Sequence, residues 1–148
     1  MAQYVFAAAS FIPSSSAAVQ TVIGGAAISV GDAVYRDTTL DQWFLCDADS
    51  STPASGGATA PNAGIEGLAA SACAGAGCRF SVVTADTALA TGATTTEVMA
   101  AGQVLVLSGT AGKLQPAPAD SGDKLLIAGV ANSATQIKLG FLAGGTAP

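Results

Sequence analysis

The chain has no histidine. Imidazole is the commonest general base and the usual partner of serine or cysteine nucleophiles, so Ser-His-Asp and Cys-His mechanisms are excluded. A structural zinc takes four Cys or His ligands, and three cysteines are all the chain has to offer. Basic residues are scarce. Five Lys and Arg against ten Asp and Glu leave a formal charge of −5, without the positive footprint that a phosphate backbone needs, so nucleic acid is not expected as a partner. Aromatic residues make up only 5% and are scattered, which assigns Trp43, Tyr35, Tyr4 and the phenylalanines to core packing and supplies no stacking platform. No segment holds 18 apolar residues free of breakers, so no membrane span is expected. The first 31 residues carry no charge, but they lack a basic leading region and are interrupted by Ser10 and Pro13, and they do not read as a secretory signal.

What remains is a chain of small residues. The 50% hydrophobic fraction rests largely on Ala, and charged residues are 10%, which suits a surface that is small and polar or covered by neighbours. At 148 residues one domain with a single core is the default. The acids gather early: Asp32, Asp37, Asp41, Asp47 and Asp49 face one base, Arg36. They read as solvated turns. A hard-cation site at "CDADSS" lacks the full spaced pattern of a calcium loop. Cys46, Cys73 and Cys78 are read as structural, reduced thiols, with a Cys73–Cys78 bridge as the alternative. Glu66, Glu97 and the Asp residues could meet in space, but nothing in their spacing selects a catalytic pair. No catalytic residue, cofactor or metal is therefore assigned.

Period-two alternation dominates. "TQIKLGF" (135–141) puts Ile137, Leu139 and Phe141 on one face, and "QWFLC" (42–46) sets Trp43 and Leu45 opposite Phe44 and Cys46, so that both faces are covered. "DAVYRD" (32–37), "RFSVVT" (79–84) and "QVLVL" (103–107) add further strands, and "GTAGK" (109–113) reads as a hairpin turn. One helix is conceivable at "TTTEVMAAGQ" (94–103), although its Thr run is equally good strand material. Residues 50–64 have no apolar periodicity and read as a surface loop.

The chain also repeats itself. "IEGLAASA" (65–72) returns as "IAGVANSA" (127–134), and residues 31–50 align with 102–121, pairing Gly31 with Gly102, Thr39 with Thr110, and Ala-Asp-Ser with Ala-Asp-Ser. Two copies of a small β-unit account for this, with Ile65 and Ile127 as core anchors and Gly67 and Gly129 permitting close backbone approach. The expected fold is all-β: a compact sandwich or barrel-like domain of two similar units. Residues 1–27 form an N-terminal arm or first strand ahead of a domain at 28–148.

The segments "GDAVYRD" (31–37), "GIEGLAASACAGAGCRFSVVT" (64–84) and "AGQVLVLSGTAGKLQPAPADSGDKLLIAGVANSATQIKLGF" (101–141) resemble the capsid cement, or head decoration, proteins of tailed bacteriophages. The resemblance covers about residues 28–141 and rests on packing and turn motifs. It implies a structural, non-catalytic protein on the outer capsid surface of the virion, assembled in the host cytoplasm. Its expected partners are the major capsid protein and other copies of itself, in a homotrimer or other homo-oligomer, with no nucleic acid and no membrane. The apolar N-terminal residues Tyr4, Val5, Phe6, Phe11 and Ile12 are the candidate capsid or subunit contacts, either as an arm that adds a strand to an exposed edge or as the first strand of the domain. The other reading is a ligand- or host-binding module of a phage tail or surface spike.

Overall fold

The structure is a computed structural model that describes residues 3–49 and 60–148. Among the described residues the regular elements are strands, most of them short, with 3-10 turns at Ala8–Ser10 and Pro61–Ala63, and two five-stranded antiparallel sheets curl around one core as a half-barrel. The first unit contains β2 (Ala18–Ile23), β3 (Ala33–Asp37), β4 (Gln42–Leu45), β5 (Gly67–Ala69) and β6 (Arg79–Ala85) in the spatial order β2-β6-β5-β3-β4. The second contains β7 (Leu89–Ala90), β9 (Val104–Leu107), β10 (Leu114–Pro116), β11 (Lys124–Ser133) and β12 (Gln136–Thr146) in the order β7-β12-β11-β9-β10. A two-stranded ribbon pairs β1 (Tyr4–Val5) with β8 (Thr95–Thr96).

Strand for strand, the two sheets follow one plan. In each, an edge strand is followed by a hairpin, then by a central strand carrying the repeated phrase, then by a long strand that returns beside it. The registers agree as well. Gly67 sits opposite Val34 and Gly129 opposite Leu105, while Leu68 sits opposite Ala33 and Val130 opposite Val104. The expected duplication is therefore present in the backbone. Both repeat glycines lie where a neighbouring strand comes too close for a side chain. A Cβ on Gly67 would collide with Val82 Cγ1 and stand 3.1 Å from the Val83 carbonyl oxygen. A Cβ on Gly129 would collide with the Lys138 carbonyl oxygen and stand 3.0 Å from Leu139 Cα.

The faces do not agree. In the first unit Ala33, Leu68 and Val83 point into the core between the sheets, while Val34, Ala69 and Val82 join a second apolar cluster on the outer side. In the second unit the positions equivalent to that inward set, Val104, Val130 and Lys138, leave the core, whereas Leu105, Ala131 and Ile137 fill it. Side-chain direction alternates with period two, so equivalent positions look to opposite sides when a unit presents its other face. This corrects one sequence expectation. Ile65 is a core anchor, but Ile127 is only half-buried and lies outside the core; Leu126 and Ala128 occupy it instead, Ala128 within a register irregularity between Ile127 and Gly129.

The other alternations hold. Trp43 and Leu45 lie in the outer cluster and Phe44 and Cys46 in the core. On β12, Ile137 is fully buried, with Leu139 and Phe141 packed against the same core. The helix considered at 94–103 is instead β8 followed by a turn, because Thr95 and Thr96 pair with Val5 and Tyr4. Asp41 and Asp49 are exposed, as solvated turn residues should be, but Asp32 and Asp37 are not. Asp32 is 4% exposed and takes the Lys113 ammonium at 2.6 Å, while Asp37 is fully buried and accepts the Thr39 and Leu40 amides at 3.0 Å to shape the β3–β4 turn. Cys73 and Cys78 are joined in a disulfide with Cα atoms 5.7 Å apart, which corrects the expectation of reduced, unpaired thiols there. Cys46 is a free, buried thiol. Residues 50–59 of the segment read as a surface loop lie outside the described residues.

Candidate functional site

The five candidate contact residues divide by burial. Tyr4 and Phe11 are 2% and 3% exposed and belong to the core. Phe6 is half-buried between them, its ring centroid 6.2 Å from Tyr4 and 5.6 Å from Phe11. Val5 and Ile12 project outward, 49% and 58% exposed. The segment is held by backbone pairing: Tyr4 and Val5 through β8, and Ile12 through reciprocal bonds with Ala90 of 2.8 and 3.1 Å that extend the β7 edge. Two side-chain ties reinforce it. Gln3 Nε2 donates to Thr110 Oγ1 at 2.8 Å, and Asp86 accepts the Ser14 amide at 2.8 Å together with the Ser14 hydroxyl. Burial alone would raise the Asp86 carboxyl, but the Ser14 hydroxyl and amide and the neighbouring Ala88 and Thr87 amides outweigh it and leave its pKa below the ordinary value. The Tyr4 hydroxyl is buried without a hydrogen-bond partner, and burial, with Glu97 nearby, pushes its pKa to about 12.

A surface that the sequence reading did not single out lies on the outer side of the second sheet. Val104, Ile127 and Val130 face outward there, with Leu142 66% exposed beside them. Two shallow depressions of about 390 and 420 Å³ share Val104 and Ile127 as lining. The signal was present in "QVLVL", which is apolar on both faces. Alternation separates two faces without saying which one is inside, and a run apolar on both needs a cover on each side. In the first sheet that cover exists: Ile28, Cys73 and Cys78, from the segments 24–28 and 70–78, lie with Val34, Trp43, Phe80 and Val82.

Asp49 and Asp120, the acids of the two Ala-Asp-Ser triplets, come together beside Gly109. Around the position that a Gly109 Cβ would occupy stand Asp123 Oδ2 at 3.3 Å, Asp120 Oδ2 at 3.6 Å and Asp49 Oδ2 at 3.8 Å. Asp123 is 7% exposed and its Oδ2 has no hydrogen-bond partner. Burial, followed by the charges of Asp49 and Asp120, raises its pKa. Burial and a side-chain hydrogen bond with Asp49 raise Asp47 to about 6. Asp120 is lowered by the Gln115 amide, which donates to it at 3.1 Å. Among the described residues no group of three or more His, Cys, Asp or Glu is arranged to hold a metal ion. The Cys46 thiol is pushed up by burial, then by Glu66 and Asp47, which disfavours the reactive thiolate.

A wider depression of about 540 Å³ lies between Tyr35, Arg36 and Glu66 on one side and residues 141–143 on the other. The Arg36 guanidinium is engaged by Asp41 at 2.8 Å and its amide donates to Glu66 at 2.7 Å, so the charged groups lining it are already partnered.

No protein-family profile, curated protein or solved structure matches this chain.

Proposed function

We propose that the chain is a structural virion protein that seats on the outer surface of a bacteriophage capsid and cements the expanded head. The observation that carries this reading is the apolar patch of Val104, Ile127, Val130 and Leu142 left partly open on the outer side of the second sheet, whereas the outer side of the first sheet is sealed over Val34, Trp43, Phe80 and Val82 by the chain's own segments. An apolar patch with polar surroundings suits docking onto another protein surface. The formal charge of −5 is suited to an outward-facing shell component that should not attract packaged nucleic acid. The major capsid protein is the proposed main partner, with further copies of the chain as neighbours. On a symmetric lattice modest affinity per copy suffices, because simultaneous contacts multiply avidity.

Mixing the purified protein with empty expanded heads and sedimenting them tests the reading. Co-sedimentation that saturates at a fixed ratio of copies per head is expected, and absence from the pellet at every salt concentration would overturn it. A ligand- or host-binding module is the second reading, favoured by the depression beside Tyr35 and Glu66. It predicts binding to cell-surface extracts in place of heads.

A further inference from the structure

We propose that the Cys73–Cys78 disulfide is a reversible redox staple: when formed it locks a two-segment cap over the outer face of the first sheet, and when reduced it releases the cap and uncovers the apolar cluster around Trp43. This inference rests on the first sheet alone and does not depend on the capsid reading.

The cap is built from residues 24–28, between β2 and β3, and residues 70–78, between β5 and β6. The two segments hold each other through four backbone hydrogen bonds of 2.8 Å: Gly24 N–H to Cys78 O, Gly77 N–H to Gly24 O, and a reciprocal pair between Ile28 and Cys73. The bridge lies at the centre of this contact. A Cβ on Gly24 would collide with Cys73 Sγ and stand 3.2 Å from Cys78 Sγ and 3.4 Å from the Phe80 ring, so the sulfurs pack directly against the opposing backbone. Beneath them are Phe80, Val82, Val34 and Trp43, a cluster separate from the core between the sheets. Loss of the bridge therefore acts on this outer face at Ile28, Cys73 and Cys78, while Gly25, Ala26 and Ala70 of the same segments keep their packing against the core between the sheets.

The bridge is also reachable. Cys73 is buried, but Cys78 is half-buried, Ala74, Ala76 and Gly77 are exposed, and added Cβ atoms on Gly75 and Gly77 would meet nothing within 4 Å. A thiolate can attack from the solvent side at Cys78, and a glycine-rich turn can relax once cut. The balanced reaction is thiol–disulfide exchange with a dithiol: the Cys73–Cys78 bond breaks, two electrons and two protons pass to the cysteine sulfurs, and the dithiol closes to its own disulfide. Cys46 is buried in the other cluster and does not compete.

Trp43 is the chain's single tryptophan and is 6% exposed within the capped cluster, which makes its fluorescence a local reporter. The experiment treats the full chain with dithiothreitol, follows acrylamide quenching of Trp43 and amide exchange at Gly24, Ile28, Cys73 and Gly77, then reoxidises with glutathione disulfide. Reduction is expected to raise quenching severalfold, to speed exchange at those four amides only, and to lower the melting temperature by about 4–8 °C, all reversed on reoxidation. The Cys73→Ala/Cys78→Ala variant should behave as the reduced protein and ignore dithiothreitol, whereas Cys46→Ala should respond as the parent does. Unchanged quenching and exchange after complete reduction would overturn the proposal, since packing alone would then hold the cap. Loss of all far-ultraviolet dichroism on reduction would overturn it too, because the bridge would then support the whole fold.

Discussion

The two β-units share strand order and register, yet the outer face of the first is sealed over Val34, Trp43, Phe80 and Val82, whereas that of the second is covered at Val106 and open around Val130 and Leu142. In the first, Trp43, Val82 and Val34 are sealed beneath a disulfide-tied cap, while Phe44, Leu68 and Val83 face the common core. In the second, Leu105, Leu114 and Ile137 supply the core, while on the outer side Val106 is buried beside Ala117 and Pro118, Val104 and Ile127 are half-buried and Val130 is exposed, with no disulfide-tied cap. The pairing plan of the backbone is thus separable from the choice of inward face. A sheet whose strands are apolar on both sides can present either face to a partner, and the cover available on the other side settles which one.

The strongest way to break the comparison is to place a side chain where each repeat glycine stands. Gly129→Val meets the backbone of β12, which cannot yield without losing its pairing, and should cost about 4 kcal/mol or more, read as loss of soluble folded protein. Gly67→Val meets mainly the buried, β-branched Val82 side chain and not the backbone, so about 2–3 kcal/mol of overpacking is expected in a urea melt. Equal penalties would mean that the two positions are more alike than the collisions imply. Next in size is the contrast between outer faces. Trp43→Ala should cost about 3–5 kcal/mol because it empties a sealed cluster, whereas Val130→Ala, 38% exposed, should stay within about 0.5 kcal/mol.

The junction between the units gives a pH-dependent test. Asp47, at about 6, and Asp123 both have raised folded-state pKa values, so the folded chain holds protons that the unfolded chain has released. Their contribution is fully present below the unfolded carboxylate value near 4 and is lost as pH rises through the folded values, for Asp47 through about 6. Thermal melts should therefore show this contribution growing from pH 7 to pH 5. Asp123→Asn should flatten that rise and be the more stable protein at pH 7. Below about pH 4 the lowered groups Asp86 and Asp120 act in the opposite sense, since their stabilisation is lost on protonation.

Strands whose alternation survives in composition were legible in the sequence, β12 in "TQIKLGF", β4 in "QWFLC" and β9 in "QVLVL", whereas β2 (Ala18–Ile23), six residues long but mostly exposed, was not. Strands of two or three residues, such as Tyr4–Val5, Leu89–Ala90 and Leu114–Pro116, fall below any detectable period and exist because a neighbour pairs with them. The extension of β12 through Gly144 and Gly145 is of the same kind, sustained by pairing of Ala143 with Leu126 and Thr146 with Lys124. The Thr run at 94–96 is strand material for the same reason. In the N-terminal segment the apolar character of Tyr4, Val5, Phe6, Phe11 and Ile12 was readable, but its division into core and surface was not, because that depends on the partner strands β8 and β7. The outer patch around Val130 was hidden by the same ambiguity: a repeated phrase predicts a repeated strand, while its orientation is decided by the tertiary neighbours.

An equally small stability effect is expected at the exposed N-terminal pair: Val5→Ser with Ile12→Ser should change the unfolding free energy by no more than about 0.5 kcal/mol. Together with Val130 these residues separate binding from folding. The most direct test of the central claim is therefore co-sedimentation of Val130→Glu with empty expanded heads, beside the parent chain. If the open patch on the outer side of the second sheet seats on the capsid, the variant should melt as the parent does and bind about tenfold more weakly or worse, since a buried, unpaired carboxylate at an interface costs upwards of about 1.4 kcal/mol. Parent-like binding by a folded Val130→Glu protein would contradict the account.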